Sequence, residues 1–158
     1  MKKIPSFTVD HLRLLPGVYV SRRDMLKDDA LTTFDLRFTQ PNEEPVLDTA
    51  PIHAIEHLAA TYLRNHEGWG EEIIYFGPMG CRTGFYLILK GKLEPEDILE
   101  LLKDMLEFII GFTGEIPGAS ARGCGNYLDM NLPMAKYHAR KYLEVLSNIT
   151  TGRMRYPE

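Results

Sequence analysis

The residues best suited to chemistry are His53 and His57, joined by Ala54-Ile55-Glu56 in an H-x-x-E-H pattern. On a helix, side chains three and four positions apart share a face, with Cβ atoms about 5–6 Å apart. Both imidazoles then reach one ion, and the Glu56 carboxylate lies beside it. Two neutral imidazoles with a neighbouring base suit metal-assisted catalysis. The competing explanation is two surface histidines and a solvated glutamate. The pair flanks a stripe that is otherwise apolar, which favours the metal.

Two cysteines extend the set. Cys124 sits in Arg122-Gly123-Cys124-Gly125-Asn126, where flanking glycines permit a sharp turn that presents a thiolate. His53, His57 and Cys124 would leave a fourth coordination position open, as catalytic sites do. Cys81 lies in Gly77-Pro78-Met79-Gly80-Cys81-Arg82-Thr83-Gly84, a small-residue turn where a nearby cation would favour the thiolate. For either cysteine the alternative is a small buried hydrophobe. The H-x-x-E-H pattern also marks the inverted zinc peptidases. Those are far longer chains with a glutamate as third ligand, and here a cysteine is the better candidate.

These residues must be held by a fold. Gly17 to Arg23 and Leu31 to Thr39 read as strands around a polar Lys27-Asp28-Asp29 connection. The second alternates, with Phe34, Leu36 and Phe38 on one face and Asp35 and Arg37 on the other. A helix runs from about Pro51 to His66, with Ile52, Ile55, Ala59, Tyr62 and Leu63 inward and Gly68 as its stop. Glu72 to Phe76 and Gly84 to Lys90 are two more strands. A second helix opens at Pro95 and carries Ile98, Leu101, Leu102, Met105 and Ile109 until Gly111 or Gly114. A last helix spans about Pro133 to Ser147, with Ala135, Ala139, Tyr142, Leu143 and Leu146 inward. Adjacent strands with short connections predict an α+β fold, an antiparallel sheet with helices packed on one face.

The chain has 158 residues, 44% hydrophobic and 25% charged, with a net charge of −4. One domain over residues 1–158 fits this length, without repeats or linkers. The acidic balance argues against nucleic acid, which needs a basic surface. No apolar run approaches the roughly 20 residues that span a bilayer, and no apolar stretch follows Lys2 and Lys3 as in a secretory leader. A cytoplasmic location is expected, where two cysteines serve as reactive or metal-bound thiols.

The motifs together resemble the S-ribosylhomocysteine lyase (LuxS) family of quorum-sensing synthases. The resemblance is carried by Ser6-Phe7 through Asp10-His11, Phe34 to Phe38 with Gln40-Pro41-Asn42, His53 to His57, Pro78 to Gly84, and Gly123-Cys124-Gly125. It implies cleavage of S-ribosylhomocysteine to homocysteine and 4,5-dihydroxy-2,3-pentanedione, the autoinducer-2 precursor. It also implies one ferrous ion per subunit, replaceable by zinc or cobalt, and a homodimer with active sites at the interface. Cys81 and Glu56 would be the acid–base pair, and Ser6, His11, Arg37 and Arg64 would line the substrate pocket. Arg37 suits a carboxylate, which a guanidinium grips at two points, or else pairs with Asp35. The chain departs from the family at Tyr75, where an acidic residue is common. The alternatives are a metal-dependent hydrolase using the same three ligands, in which Cys81 is dispensable, and a non-catalytic metal-binding or dimerisation module.

Overall fold

The computed structural model describes residue 4 and residues 7–157. Four strands form one sheet: β1 (Gly17–Met25), β2 (Ala30–Arg37), β3 (Ile73–Pro78) and β4 (Gly84–Lys90). Their order is β1-β2-β4-β3 and every neighbouring pair is antiparallel. Three helices, α1 (Thr49–Arg64), α2 (Pro95–Gly111) and α3 (Leu132–Ser147), complete the fold. This is the expected α+β architecture.

Alternation along the strands decides which face the helices cover. Phe34 and Leu36 of β2 and Phe85, Leu87 and Leu89 of β4 point into one core with the apolar faces of α1, α2 and α3. The five apolar residues expected to face inward on the second helix are all buried. On α1, Leu58 is wholly buried, whereas Tyr62 packs at the margin. A helical stripe is wide enough to shift by one residue without losing its phase.

The boundaries differ from the sequence expectations where local chemistry competes. Helix α1 begins at Thr49, with Asp48 as N-cap, so Pro51 stands within the first turn and not at its start. A proline is tolerated there because first-turn N–H groups have no helical partner. The helix ends at Arg64, capped by Asn65, and a short 3-10 turn at Gly70–Glu72 leads into β3. Helix α2 does open on Pro95, behind a reciprocal cap between Glu94 and Asp97. Strand β2 stops at Arg37; Phe38 and Thr39 both donate instead to the Thr83 carbonyl, at 2.9 and 3.1 Å. The second face of β2, expected to be polar, is closed as well: Asp35 is 1% and Arg37 3% exposed.

Gly84 shows how tightly the turn bearing Cys81 is set against β2. A Cβ there would lie 2.1 Å from the Leu36 carbonyl oxygen, which is backbone and unable to yield. Gly84→Ala is expected to cost about 1–3 kcal/mol, as overpacking does, measured as a lowered urea midpoint at unchanged slope.

Candidate metal centre and active site

Helix α1 puts His53 and His57 on its flank, half-buried, while its apolar face enters the core. The ligand atoms of His53, His57 and Cys124 lie within 4.8 Å of one another. Among the described residues, this is the only His, Cys, Asp and Glu group of at least three so placed. Cys124 Sγ is 3.3 Å from His53 Nε2, and the His53 and His57 rings meet edge to face at 4.8 Å.

The other nitrogen of each ring is anchored to backbone. His53 Nδ1 donates to the Asp129 carbonyl at 3.0 Å and His57 Nδ1 to the Pro117 carbonyl at 2.7 Å. Those bonds set the tautomer and leave Nε2 of both rings with a lone pair turned inward, as metal-binding histidines require. The loop that supplies them must pass close. Gly118 has φ +74, and a Cβ there would stand 3.3 Å from His57 Nδ1. Cys124 is held by its N–H on the Ser120 carbonyl at 2.9 Å, and the Asn126 N–H donates to its sulfur at 3.4 Å. Two imidazoles and one cysteine sulfur are a donor set that fits a divalent transition metal.

The sequence predicts Glu56 and Cys81 as acid–base groups, and they face two neighbouring cavities. Glu56 and His53 line one of about 310 Å³ with Met79, Gly80 and Arg82. Cys81 lines another of about 250 Å³ with His11, Arg37, Asp35, Tyr86 and Tyr156. Met79 and Gly80 border both. The turn between them is braced: the Arg82 N–H donates to the Met79 carbonyl at 3.0 Å, and the Leu47 N–H to the Arg82 carbonyl at 3.0 Å. Arg82 has φ 59, a left-handed conformation that a branched or bulky side chain holds only at some cost.

Cys81 is exposed and in no disulfide. Burial of its surroundings pushes the thiol up, but hydrogen bonds from the Thr83 hydroxyl and backbone, with the Arg37 guanidinium, outweigh this and hold it below the ordinary thiol range. The Cys81 sulfur is 3.1 Å from Thr83 Oγ1 and 3.8 Å from Arg37 Nη1. Arg37 itself grips Asp35 with Nε and Nη2, at 3.0 and 2.5 Å, and donates from Nη1 to Thr83 at 2.6 Å.

Of the expected substrate residues, His11 and Arg37 join Cys81 in one cavity. His11 Nδ1 bonds to the Val9 carbonyl at 2.9 Å, which leaves Nε2 available. Arg64 lines neither cavity; it donates to the Ile73 and Ile74 carbonyls at the sheet edge. Ser6 lies outside the described residues. Sequence reasoning missed Asp129 and Pro117, which act through carbonyls that every residue carries. It also missed Thr83, although the turn motif contained it, and Tyr156.

The profile of the family described as S-Ribosylhomocysteinase (LuxS) matches residues 4–152. A protein of Clostridium acetobutylicum named S-ribosylhomocysteine lyase is 61% identical over 158 residues, covering 100% of both chains. Proteins with the same name from Clostridium beijerinckii and Phocaeicola vulgatus are 61% and 55% identical, covering 98–99% of each chain. Among the described residues, no helix is long and apolar enough to cross a membrane.

Removing one ligand should empty the site without unfolding the core. His57→Ala is expected to abolish stoichiometric binding of divalent metal, measured by elemental analysis after dialysis, with a far-UV spectrum like the parent's.

Proposed function

This chain belongs to the S-ribosylhomocysteinase (LuxS) family, and on that premise we propose that it cleaves S-ribosylhomocysteine to homocysteine and 4,5-dihydroxy-2,3-pentanedione. The observation that carries the reading is the placement of Cys81, its sulfur 3.1 Å from Thr83 Oγ1 and 3.8 Å from Arg37 Nη1, one glycine away from the cavity lined by His53 and Glu56. A hydrolase would need His53, His57, Cys124 and Glu56 but has no use for that thiol. The names of the relatives point the same way.

The C–S bond to be broken lies several carbons from the sugar aldehyde, so the carbonyl must first migrate by two enolisations. A ferrous ion at His53, His57 and Cys124, or zinc or cobalt in its place, would supply Lewis acidity for the enediolate oxygens. The chain's own residues do the proton work. Cys81 as thiolate removes the proton from the carbon next to the carbonyl and returns it to the former carbonyl carbon, while Glu56 carries the neighbouring hydroxyl's proton to the former carbonyl oxygen, so the carbonyl moves with no change in overall oxidation level. When the carbonyl stands β to sulfur, Glu56 takes the intervening proton, the C–S bond breaks, and homocysteine leaves as its thiolate. His11 and Arg37 border the Cys81 cavity, and with Ser6 and Arg64 they are assigned to substrate.

The sheet's uncovered face supports a homodimer with the active sites at its interface. Ile4, Ser21, Arg22, Thr33, Tyr75, Tyr86 and Ile88 line a cavity there of about 350 Å³. Phe7 and Tyr75 are 72% and 49% exposed, and apolar surface of this kind marks association sites. The enzyme so described works in the cytoplasm, where a ferrous site and two thiols stay reduced.

Turnover should be measured on anaerobically purified, iron-loaded protein, with released homocysteine detected by a chromogenic disulfide. Cys81→Ser is expected to keep its metal while turnover falls about 10²- to 10⁴-fold, the usual weight of acid–base catalysis; undiminished turnover would remove Cys81 from the mechanism. Ile88→Glu is expected to sediment as a monomer and to lose turnover with metal retained. A variant that stays dimeric would place the interface elsewhere.

A further inference from the structure

Residues 151–157 form a strap across β1. A 3-10 turn at Thr151–Arg153 brings the backbone against Gly17 so closely that a Cβ there would lie 2.2 Å from the Arg153 carbonyl oxygen. Met154 is 9% exposed, and Arg155 pairs with Glu96 at the start of α2 at 3.0 Å. This docking delivers Tyr156 to the Cys81 cavity. Its ring stacks on Tyr19, with centroids 4.9 Å apart and planes 7° from parallel. Its hydroxyl donates to Asp35 Oδ2 at 2.8 Å. Tyr156 lies past residue 152, where the family match ends.

The contacts form a chain that ends at the thiol. Asp35 is a buried carboxylate with three donors on it: Nε and Nη2 of Arg37, and the Tyr156 hydroxyl. The third donor does two things. It gives Oδ2, already bonded to Arg37 Nη2, a second donor, and it disperses charge that would otherwise be directed at Arg37. With Asp35 so held, Arg37 keeps Nη1 free to turn toward Thr83 and Cys81. We infer that Tyr156 is a positioning residue for Cys81, acting through Asp35 to aim the Arg37 guanidinium at the thiolate. Burial, then the neighbouring Asp35 charge, raises the Tyr156 phenol far above its ordinary range, with Ser21 and Arg37 opposing weakly. It therefore remains a proton donor at every pH where the enzyme works. The catalytic consequence rests on the role proposed for Cys81; the effect on the thiol does not.

The test is the rate of Cys81 alkylation by iodoacetamide against pH, on metal-loaded protein so that Cys124 is shielded, with the adduct located by peptide mass spectrometry. Tyr156→Phe keeps the ring on Tyr19 and removes only the hydroxyl. The expected result is a melting temperature near the parent's and alkylation at neutral pH slowed about 3- to 10-fold, the size of one lost hydrogen bond. The rate profile should move to higher pH, because the thiolate has lost part of its support. A chain ending at Arg155 should slow at least as much. Superimposable profiles for Tyr156→Phe and the parent would overturn the inference. So would lost turnover with unchanged thiol reactivity, which would put the phenol on substrate instead. The alkylation readout needs no lyase activity, so failure here and failure of the proposed reaction are separable.

Discussion

Helix α1 must serve two masters with one period. Its 3.6-residue repeat sends Ile52, Ile55, Leu58, Ala59 and Leu63 into the core, and the same repeat sets His53, Glu56 and His57 along the adjoining flank. The rotation of the helix is therefore decided by core packing, and the coordination geometry follows from it. Turning the helix to improve the metal site would withdraw leucine and isoleucine side chains from the core, each worth about 1.5–3 kcal/mol of burial. Because the core holds the angle, the site needs only local adjustment. The Asp129 and Pro117 carbonyls provide it by fixing each ring about its own axis.

The thiol side of the site depends on a costlier arrangement. Asp35 and Arg37 sit side by side on the sheet face that carries no helix, yet both are buried. Burying two charges is unfavourable unless the geometry is good and the remaining donors and acceptors are satisfied. Here the pair is doubly hydrogen-bonded, and Tyr156 and Thr83 take up what is left over. A hydrophobic pair in the same space would serve stability as well. What it could not do is place a guanidinium beside Cys81, so the pair is better understood as part of the chemistry.

The two halves meet at the Pro78–Gly84 turn. It carries Cys81 on one side and borders the cavity of His53 and Glu56 on the other. Backbone bonds anchor it, with the Met79 N–H on the Gly84 carbonyl, the Leu47 N–H on the Arg82 carbonyl, and Phe38 and Thr39 on the Thr83 carbonyl, and the Arg37 side chain adds a bond to Thr83 Oγ1. A short turn with so many braces tolerates the left-handed Arg82 and keeps Cys81 beside Thr83 and Arg37.

Much of this was legible in the chain alone. A period of two identified β2 and a period of 3.6 the three helices with most of their inward faces, because burial acts on every residue of an element and leaves a repeated signal; the other three strands were read from short runs rich in strand-forming residues. The His53–His57 spacing and the glycine-bounded cysteines were equally local. Ends of elements were less legible: the Asp48 cap and the Thr83 carbonyl compete over one or two residues and leave no period. Only tertiary structure decided that Asp129 and Pro117 orient the histidines, that the Asp35–Arg37 face is buried, and that Tyr156 reaches Asp35 across 121 residues. Those contacts join distant segments through carbonyls and single hydroxyls. No pattern along the sequence encodes them, since their partners meet only after the core has closed.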